Sequence, residues 1–147
     1  MSYVLAIDQG TTSTRAIVFD KNLQIVASSQ KEIEQFFPFP GWVEHDLEEI
    51  YATVIATVRN AVKGAKISSR DILSIGITNQ RETTAIWNAE TGQALSKAIV
   101  WQDRRTSEFC NELKKNGKER AYQGKTGLLI DPYFSATKVK WLLDKYD

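Results

Sequence analysis

The chain has 147 residues, a formal net charge of +1, and 42% hydrophobic and 25% charged residues. This length suits about one domain, and the composition excludes a chain that is disordered throughout. A charge so near zero gives no reason to expect a nucleic-acid or anionic-membrane binder. With Cys110 as the single cysteine and His45 as the single histidine, an internal disulfide and the common zinc sites are excluded.

The start of the chain predicts strands. Apolar and β-branched stretches lie at residues 3–7, 15–19 and 23–28, separated by turn-forming residues. Because these turns are short, the pattern predicts an antiparallel meander. The first apolar run ends at Asp8, too short for a signal peptide or a membrane span, so we expect a cytoplasmic protein without an integral membrane segment.

An aromatic, proline-containing segment at 36–42 follows and cannot form regular structure. Its aromatic rings either cover an edge of the core or meet a partner, and the sequence leaves both readings open. Asp46 and Glu49 then mark a helix start, and the apolar spacing predicts a helix that Gly64 would cap at its C-terminus. Residues 72–78 predict a buried strand.

The rest of the chain predicts a hairpin and helices. Residues 83–101 read as the hairpin, and 104–115 as a helix with Cys110 on its inner stripe. A short helix at 119–124 is followed by a last one that Ser135 would cap. Its expected inner residues are Ala136, Val139, Leu142, Leu143 and Tyr146. Strands that lead helices predict an α/β or α+β fold with a mixed sheet.

The first group of candidate site residues lies between the first two predicted strands. Asp8 at a strand end can hold hydrated Mg²⁺, and Gly10 lets the backbone turn sharply beside a ligand. Arg15 offers a fork that matches phosphate oxygens. An anion nest could form from the hydroxyls and backbone amides of Thr11, Thr12 and Ser13. An ordinary polar turn is the alternative, and the P-loop pattern is absent.

The second group suits a small polyol, whose hydroxyls both donate and accept hydrogen bonds. Arg81 can donate several bonds and Glu82 can accept several, although a solvated turn with a local ion pair is the alternative. Trp101 could cover the carbon edge of a polyol, and Tyr133, just before a helix, could direct its hydroxyl into a cleft. Either ring could instead serve packing alone.

Five segments together resemble the N-terminal part of the FGGY carbohydrate kinases, most closely their glycerol branch: residues 8–15, 41–45, 76–84, 101–102 and 131–135. This family belongs to the actin-like, ribonuclease-H-like ATPase superfamily. The resemblance covers essentially the whole chain. Other sugar kinases share the glycine–threonine loop, whereas the segments 79–84 and 131–135 are specific to the glycerol branch.

The resemblance implies an activity that moves the γ-phosphoryl group of ATP to a terminal hydroxyl of glycerol, giving sn-glycerol 3-phosphate. It implies that Asp8 faces Mg²⁺ through bound water. It implies phosphate contacts from Thr11, Thr12, Ser13 and Arg15. It implies hydrogen bonds to glycerol from Arg81, Glu82 and Tyr133, with Trp101 packed against the glycerol carbons.

Members of this family are far longer than 147 residues. Their catalytic aspartate comes later in the first domain and has no counterpart here, and the adenine-binding second domain is also missing. We therefore expect residues 1–147 to be an incomplete N-terminal portion without a catalytic residue and inactive alone, from a full-length protein that forms homo-oligomers. The alternatives are a kinase for another small polyol or sugar, and a non-catalytic actin-like nucleotide-binding module. An incomplete portion would also expose a sheet edge and self-associate.

Overall fold

The computed structural model describes residues 2–146. The chain divides into two compact units, one made of Met1–Gln35 with His45–Gln80 and the other of Phe36–Glu44 with Arg81–Asp147. None of the helices in the described part is long and apolar enough to cross a membrane. In chain order the elements are β1 (Tyr3–Gln9), β2 (Ser13–Phe19), β3 (Ile25–Glu32), β4 (Glu44–His45), α1 (Leu47–Gly64), a 3₁₀ turn (Ser69–Asp71), β5 (Ile72–Thr78), β6 (Ala98–Ile99), α2 (Ser107–Lys115), α3 (Glu119–Thr126) and α4 (Ser135–Tyr146).

The first unit is built on a four-stranded sheet with the order β3-β2-β1-β5. β2 pairs antiparallel with both β1 and β3, which confirms the predicted meander. β5 joins the other side of β1 in the parallel direction, so the sheet is mixed, as the α/β reading predicts. A parallel neighbour requires a crossover connection, and α1 lies in the chain between β3 and β5 to supply it.

Helix α1 covers one face of this sheet. The Asp46 side chain accepts hydrogen bonds from the backbone N–H groups of Glu48 and Glu49, which confirms the predicted N-cap. The prediction for Gly64 was wrong, because Gly64 is the last helical residue and the left-handed conformation is adopted further on, by Lys66 at φ 55°. The core between the sheet and the helix consists of Leu5, Ile7, Ala16 and Val18 of the strands with Ala61 of the helix.

The prediction that β5 is a buried strand was wrong. Leu73 and Ile77 are 73% and 72% exposed, and Ile75 is also exposed. The register places Ile75 beside Leu5 and Ile77 beside Ile7, on the sheet face that α1 covers elsewhere. The helix lies over β2 and β3 and leaves β5 bare, so the apolar pattern of this edge strand has no cover within the described residues.

The second unit has little regular strand. The predicted hairpin at 83–101 forms two isolated antiparallel bridges, Thr84 with Ile99 and Trp87 with Ala94, rather than two strands. The predicted helices at 104–115 and 119–124 are observed as α2 and α3 with shifted ends, and Cys110 is buried as expected.

The buried side of α4 differs from the prediction. Lys138 and Leu142 are its buried residues. The residues expected to face inward with Leu142 are exposed, namely Ala136, Val139, Leu143 and Tyr146. They form a second stripe with helical spacing, and a periodicity alone cannot say which of two adjacent stripes the neighbouring elements will cover.

A buried ionic group lies at the centre of the second unit. Asp103 accepts a hydrogen bond from the Val43 backbone N–H at 2.7 Å and from the Arg105 Nε at 2.9 Å. Arg105, whose side chain is 2% exposed, also pairs with Glu44 at 2.8 Å. Its guanidinium lies 3.7 Å from the ring centre of Trp42. Trp42 thus packs within this unit, whereas two other rings of the same segment, Phe37 and Phe39, are exposed.

The bare apolar strand generates a prediction for the isolated chain. Exposed edge strands pair with other chains, so the 147-residue chain should self-associate in solution. Ile77→Lys places a charge on the exposed β5 face and should shift the population toward monomer in light scattering coupled to size-exclusion chromatography. Tyr51→Lys, at an exposed position on α1, is the matched control and should leave the distribution unchanged. A monomeric wild-type chain at high concentration would contradict the prediction.

Candidate functional site

The loop between β1 and β2 makes a tight turn in the first unit. The Gly10 backbone N–H donates to the Ser13 carbonyl at 2.9 Å. A Cβ added at Gly10 would lie 3.1 Å from the Ser13 backbone oxygen, so a side chain there would push the turn open. Thr12 is exposed at the tip of the turn, and Thr11 is half-buried. The predicted candidates Thr11, Thr12 and Ser13 are therefore presented on one constrained loop.

Asp8 and Arg15 lie at paired positions beside this loop. The register places Asp8 of β1 opposite Arg15 of β2 and beside Thr78 of β5, and both Asp8 and Arg15 are exposed. The Arg15 guanidinium donates to the Gln30 Oε1 at 3.0 and 2.7 Å, and the Gln30 Nε2 donates to the Ser13 hydroxyl at 2.9 Å. Gln30 thus orients two of the predicted phosphate ligands.

Asp8 is a single exposed carboxylate, which suits a hydrated cation rather than a metal enclosed by protein ligands. No cluster of three or more acidic, histidine or cysteine side chains that could hold a metal occurs in the part of the chain that is described. A protein-built cage for a cation is therefore absent from those residues. A single exposed carboxylate fits Mg²⁺, which keeps several waters and is held by one or two carboxylates and by substrate phosphates.

Two glutamines connect this loop to the end of β5. The Gln80 Nε2 donates to the Gln9 Oε1 at 2.9 Å, and the Gln9 Nε2 donates to the Gly10 carbonyl at 3.0 Å. Gln80 is buried, although it stands in a run of polar residues at positions 78–84. It supports the turn rather than facing solvent.

Glu82 is fixed by its backbone and by helix α4 in the second unit. Its φ of 66° is a left-handed conformation that few non-glycine residues adopt. Its Oε2 accepts hydrogen bonds from the Ser135 backbone N–H at 2.7 Å and from the Ser135 hydroxyl at 2.8 Å. Ser135 was predicted to cap α4, but the acceptor at this N-terminus is the Glu82 carboxylate, whose negative charge the helix dipole favours.

The Glu82 Oε1 accepts no hydrogen bond from the described residues. The carboxylate is thus oriented through one oxygen, and the other can accept a bond from a ligand. Arg81, the preceding residue, is exposed and forms no ion pair with the described residues, so the local Arg81–Glu82 pair considered as an alternative is not formed.

Trp101 and Tyr133 lie in contact with each other, on segments that are hydrogen-bonded to Thr83 and Glu82. Their rings pack edge to face, with 5.9 Å between centroids and an interplanar angle of 71°. The Trp101 backbone N–H donates to the Thr83 hydroxyl at 3.3 Å, which ties this ring to the segment after Glu82. Both rings are half-buried. The second unit therefore brings together three of the predicted polyol residues, with Arg81 next to them in the chain.

Lys138 is a residue that the sequence reasoning missed. It is 1% exposed, and its Nζ donates to the backbone carbonyls of Pro132, Tyr133 and Phe134. Burial lowers the pKa of its ammonium to about 8, against the opposing effect of nearby carboxylates, first of them Glu82. A signal was available, since Lys138 lies four residues before Leu142 and could share its buried stripe.

Comparison with known proteins gives consistent matches along nearly the whole chain. The sequence profile of the N-terminal domain of the FGGY family of carbohydrate kinases matches residues 3–147. The chain is 61% identical over 141 residues to a glycerol kinase of Rhizobium meliloti, covering 96% of this chain and 28% of that protein. It is 60% identical over 144 residues to a glycerol kinase of Rhodopseudomonas palustris, covering 98% of this chain and 29% of that protein.

Solved structures agree with the sequence matches. A crystal structure of Plasmodium falciparum glycerol kinase with ADP has a TM-score of 0.90 and 39% identity, covering 99% of this chain and 29% of that one. A ligand-bound xylulose kinase from Lactobacillus acidophilus has a TM-score of 0.89 and 25% identity, with coverage of 99% and 29%. The chain thus spans less than a third of the length of the relatives it matches.

His45 is buried in the first unit, as a structural histidine would be. Neither ring nitrogen has a hydrogen-bond partner among the described residues. Burial lowers the pKa of the imidazole, and the Glu49 charge and the Gln80 side chain oppose that effect. The imidazole is therefore held neutral in the folded chain at neutral pH.

This neutral histidine predicts a pH-dependent stability. In the unfolded chain His45 is protonated as the pH falls below about 6.5, whereas in the folded chain it is protonated only at a lower pH. The free energy of unfolding therefore decreases as the pH falls through this range. His45→Gln removes this contribution. The melting temperature of the wild-type chain minus that of the variant should therefore decrease as the pH falls from about 7.5 to about 5.5. A constant difference across that range would contradict the prediction.

Proposed function

The chain belongs to the FGGY family of carbohydrate kinases, and we propose that it is the N-terminal part of a kinase that transfers the γ-phosphoryl group of ATP to a terminal hydroxyl of glycerol. The observation that carries the proposal is that Glu82, with one carboxylate oxygen available, is bonded to Ser135 of the segment that carries Tyr133, whose ring packs on Trp101. The similar proteins of Rhizobium meliloti and Plasmodium falciparum are named glycerol kinases, which supports it.

The proposed glycerol contacts follow from the chemistry of these groups. The Glu82 Oε1 would accept a hydrogen bond from one glycerol hydroxyl, and the Arg81 guanidinium would donate to another. The Tyr133 hydroxyl supplies a further donor and acceptor, and the Trp101 ring offers an apolar face to the carbons. A small polyol satisfies this set because every carbon carries a hydroxyl.

The proposed phosphate contacts lie in the first unit. Thr11, Thr12 and Ser13 would bind phosphate oxygens through hydroxyl and backbone donors, and Arg15, oriented by Gln30, would donate a fork. Asp8 would hold water bound to Mg²⁺. When bound with ATP, Mg²⁺ neutralises phosphate charge during transfer. The ADP in the Plasmodium falciparum structure supports a nucleotide ligand.

We further propose that these residues position substrates but do not supply the general base. Phosphoryl transfer depends mainly on positioning and charge stabilisation, so each group named above has a role without any of them accepting the substrate proton. The base and the adenine-binding domain would come from a longer protein that carries this chain, and the chain alone would be inactive. A single buried cysteine suits the reducing cytoplasm as the place of action.

The test compares this chain with a version extended through the rest of its gene. We measure ADP formed from ATP with Mg²⁺, with glycerol and with xylulose as acceptors. Glycerol-dependent activity in the long version alone is the expected result. Activity with xylulose but not with glycerol would show that the proposed substrate is wrong. Activity in the short chain would show that the general base lies within residues 1–147. Inactivity of both would favour the non-catalytic module.

A substitution at Glu82 tests the glycerol contact within the longer protein. Glu82→Gln keeps the size but replaces a charged acceptor by a neutral amide, and hydrogen bonds to charged groups are worth about 1.5–3 kcal/mol. The KM for glycerol should rise about tenfold or more, and the KM for ATP should change little. Glu90→Gln, in an exposed turn, is the control and should alter neither constant. Equal effects on both substrates would contradict the assigned role.

A further inference from the structure

We propose that Lys138 is the positioning residue of the glycerol site, since its side chain shapes the 131–135 loop that presents Tyr133 and orients Glu82. This inference rests on the proposed function, because it gives Lys138 its role through the two groups that would contact glycerol. Lys138 contacts Tyr133 only at its backbone carbonyl, so it would act on glycerol through other groups.

The first step is the way in which Lys138 holds the loop. Its Nζ donates to the carbonyls of Pro132 at 2.8 Å and Phe134 at 3.4 Å, and to the carbonyl of Tyr133 between them. Three successive carbonyls therefore converge on one buried ammonium. An ammonium has three donors and no acceptor, which matches this set. A buried charge without such partners would be costly, so the loop and the lysine depend on one another.

The second step is what the held loop does. Tyr133, whose carbonyl is bound, places its ring against Trp101. Two residues later, Ser135 donates its N–H and hydroxyl to the Glu82 Oε2. The Asp131 Oδ1 accepts from the Tyr133 N–H at 2.8 Å, which closes the start of the loop. The Lys138 ammonium thus holds the loop that places the Tyr133 ring against Trp101 and that donates, through Ser135, to the Glu82 carboxylate.

The third step is the electrostatic surroundings of Lys138. The groups that face it are Glu82, Asp103 of the loop after β6, Asp131 before α4, and Cys110 of α2. The three carboxylates favour the charged ammonium, whereas burial opposes it and lowers its pKa to about 8. Above that pH, the neutral amine retains two N–H donors for three carbonyls. The loop should therefore loosen in alkaline solution, and glycerol binding should weaken.

The experiment uses Lys138→Met in the longer protein, which keeps an unbranched, slightly shorter side chain and removes its donors. Lys140→Met, an exposed position on the same helix, is the matched control. We expect the KM for glycerol to rise about tenfold, equivalent to about 1.4 kcal/mol, with the KM for ATP unchanged. The wild-type KM for glycerol should also rise above about pH 8, and Lys138→Met should lose this pH dependence. Lys138→Arg, which retains a cation, should recover part of the affinity.

Hydrogen exchange at the Ser135 amide supplies a readout that does not depend on activity. It should be faster in Lys138→Met than in the wild type or in Lys140→Met. Unchanged exchange, or equal changes in both KM values, would overturn the positioning role even in an active glycerol kinase. Faster exchange in a protein whose wild type does not phosphorylate glycerol would instead show that the proposed function failed while Lys138 still orders the loop.

Discussion

The second unit depends on the buried carboxylate of Asp103. It accepts the Val43 backbone N–H and the Arg105 side chain, and so ties residues 36–44 to the chain that follows β6. Arg105 is enclosed by Trp42 and Trp141, so its charge has little access to water. Removing one partner of a buried pair leaves an uncompensated charge, which costs about 3–5 kcal/mol.

Charged side chains are also held by hydrogen bonds in the region where polyol binding is proposed. Glu82 stabilises the N-terminus of α4 with one oxygen and leaves the other available, so a structural contact and a ligand contact share one carboxylate. Lys138 on that helix binds the loop immediately before it. In the first unit, Gln30 connects Arg15 with Ser13 in a similar way. Ser13, Arg15 and Glu82 are thus each held by a residue remote in sequence.

Two apolar surfaces have no cover among residues 2–146. Strand β5 exposes Leu73, Ile75 and Ile77, and α4 exposes Val139 and Leu143. Both elements show clear apolar periodicity, which normally indicates a buried face. Burial depends on what lies opposite, and the chain spans less than a third of the length of its relatives. The sequence therefore identified the apolar residues of β5 and α4 correctly. The prediction that other residues of this chain bury them was wrong.

The sequence by itself determined the local elements and the residue types of the chemistry. Short apolar and β-branched runs separated by short turns predicted the β1–β3 meander, and Asp46 predicted the start of α1. The segments around Asp8, Arg81 and Tyr133 indicated the family. The tertiary structure decided which face of each element is covered and which distant residues support the candidate ligands. Ser135 and Glu82 are 53 residues apart in sequence, and Arg15 and Gln30 meet through strand register. Periodicity and capping act over a few residues, whereas such pairings depend on how whole elements pack.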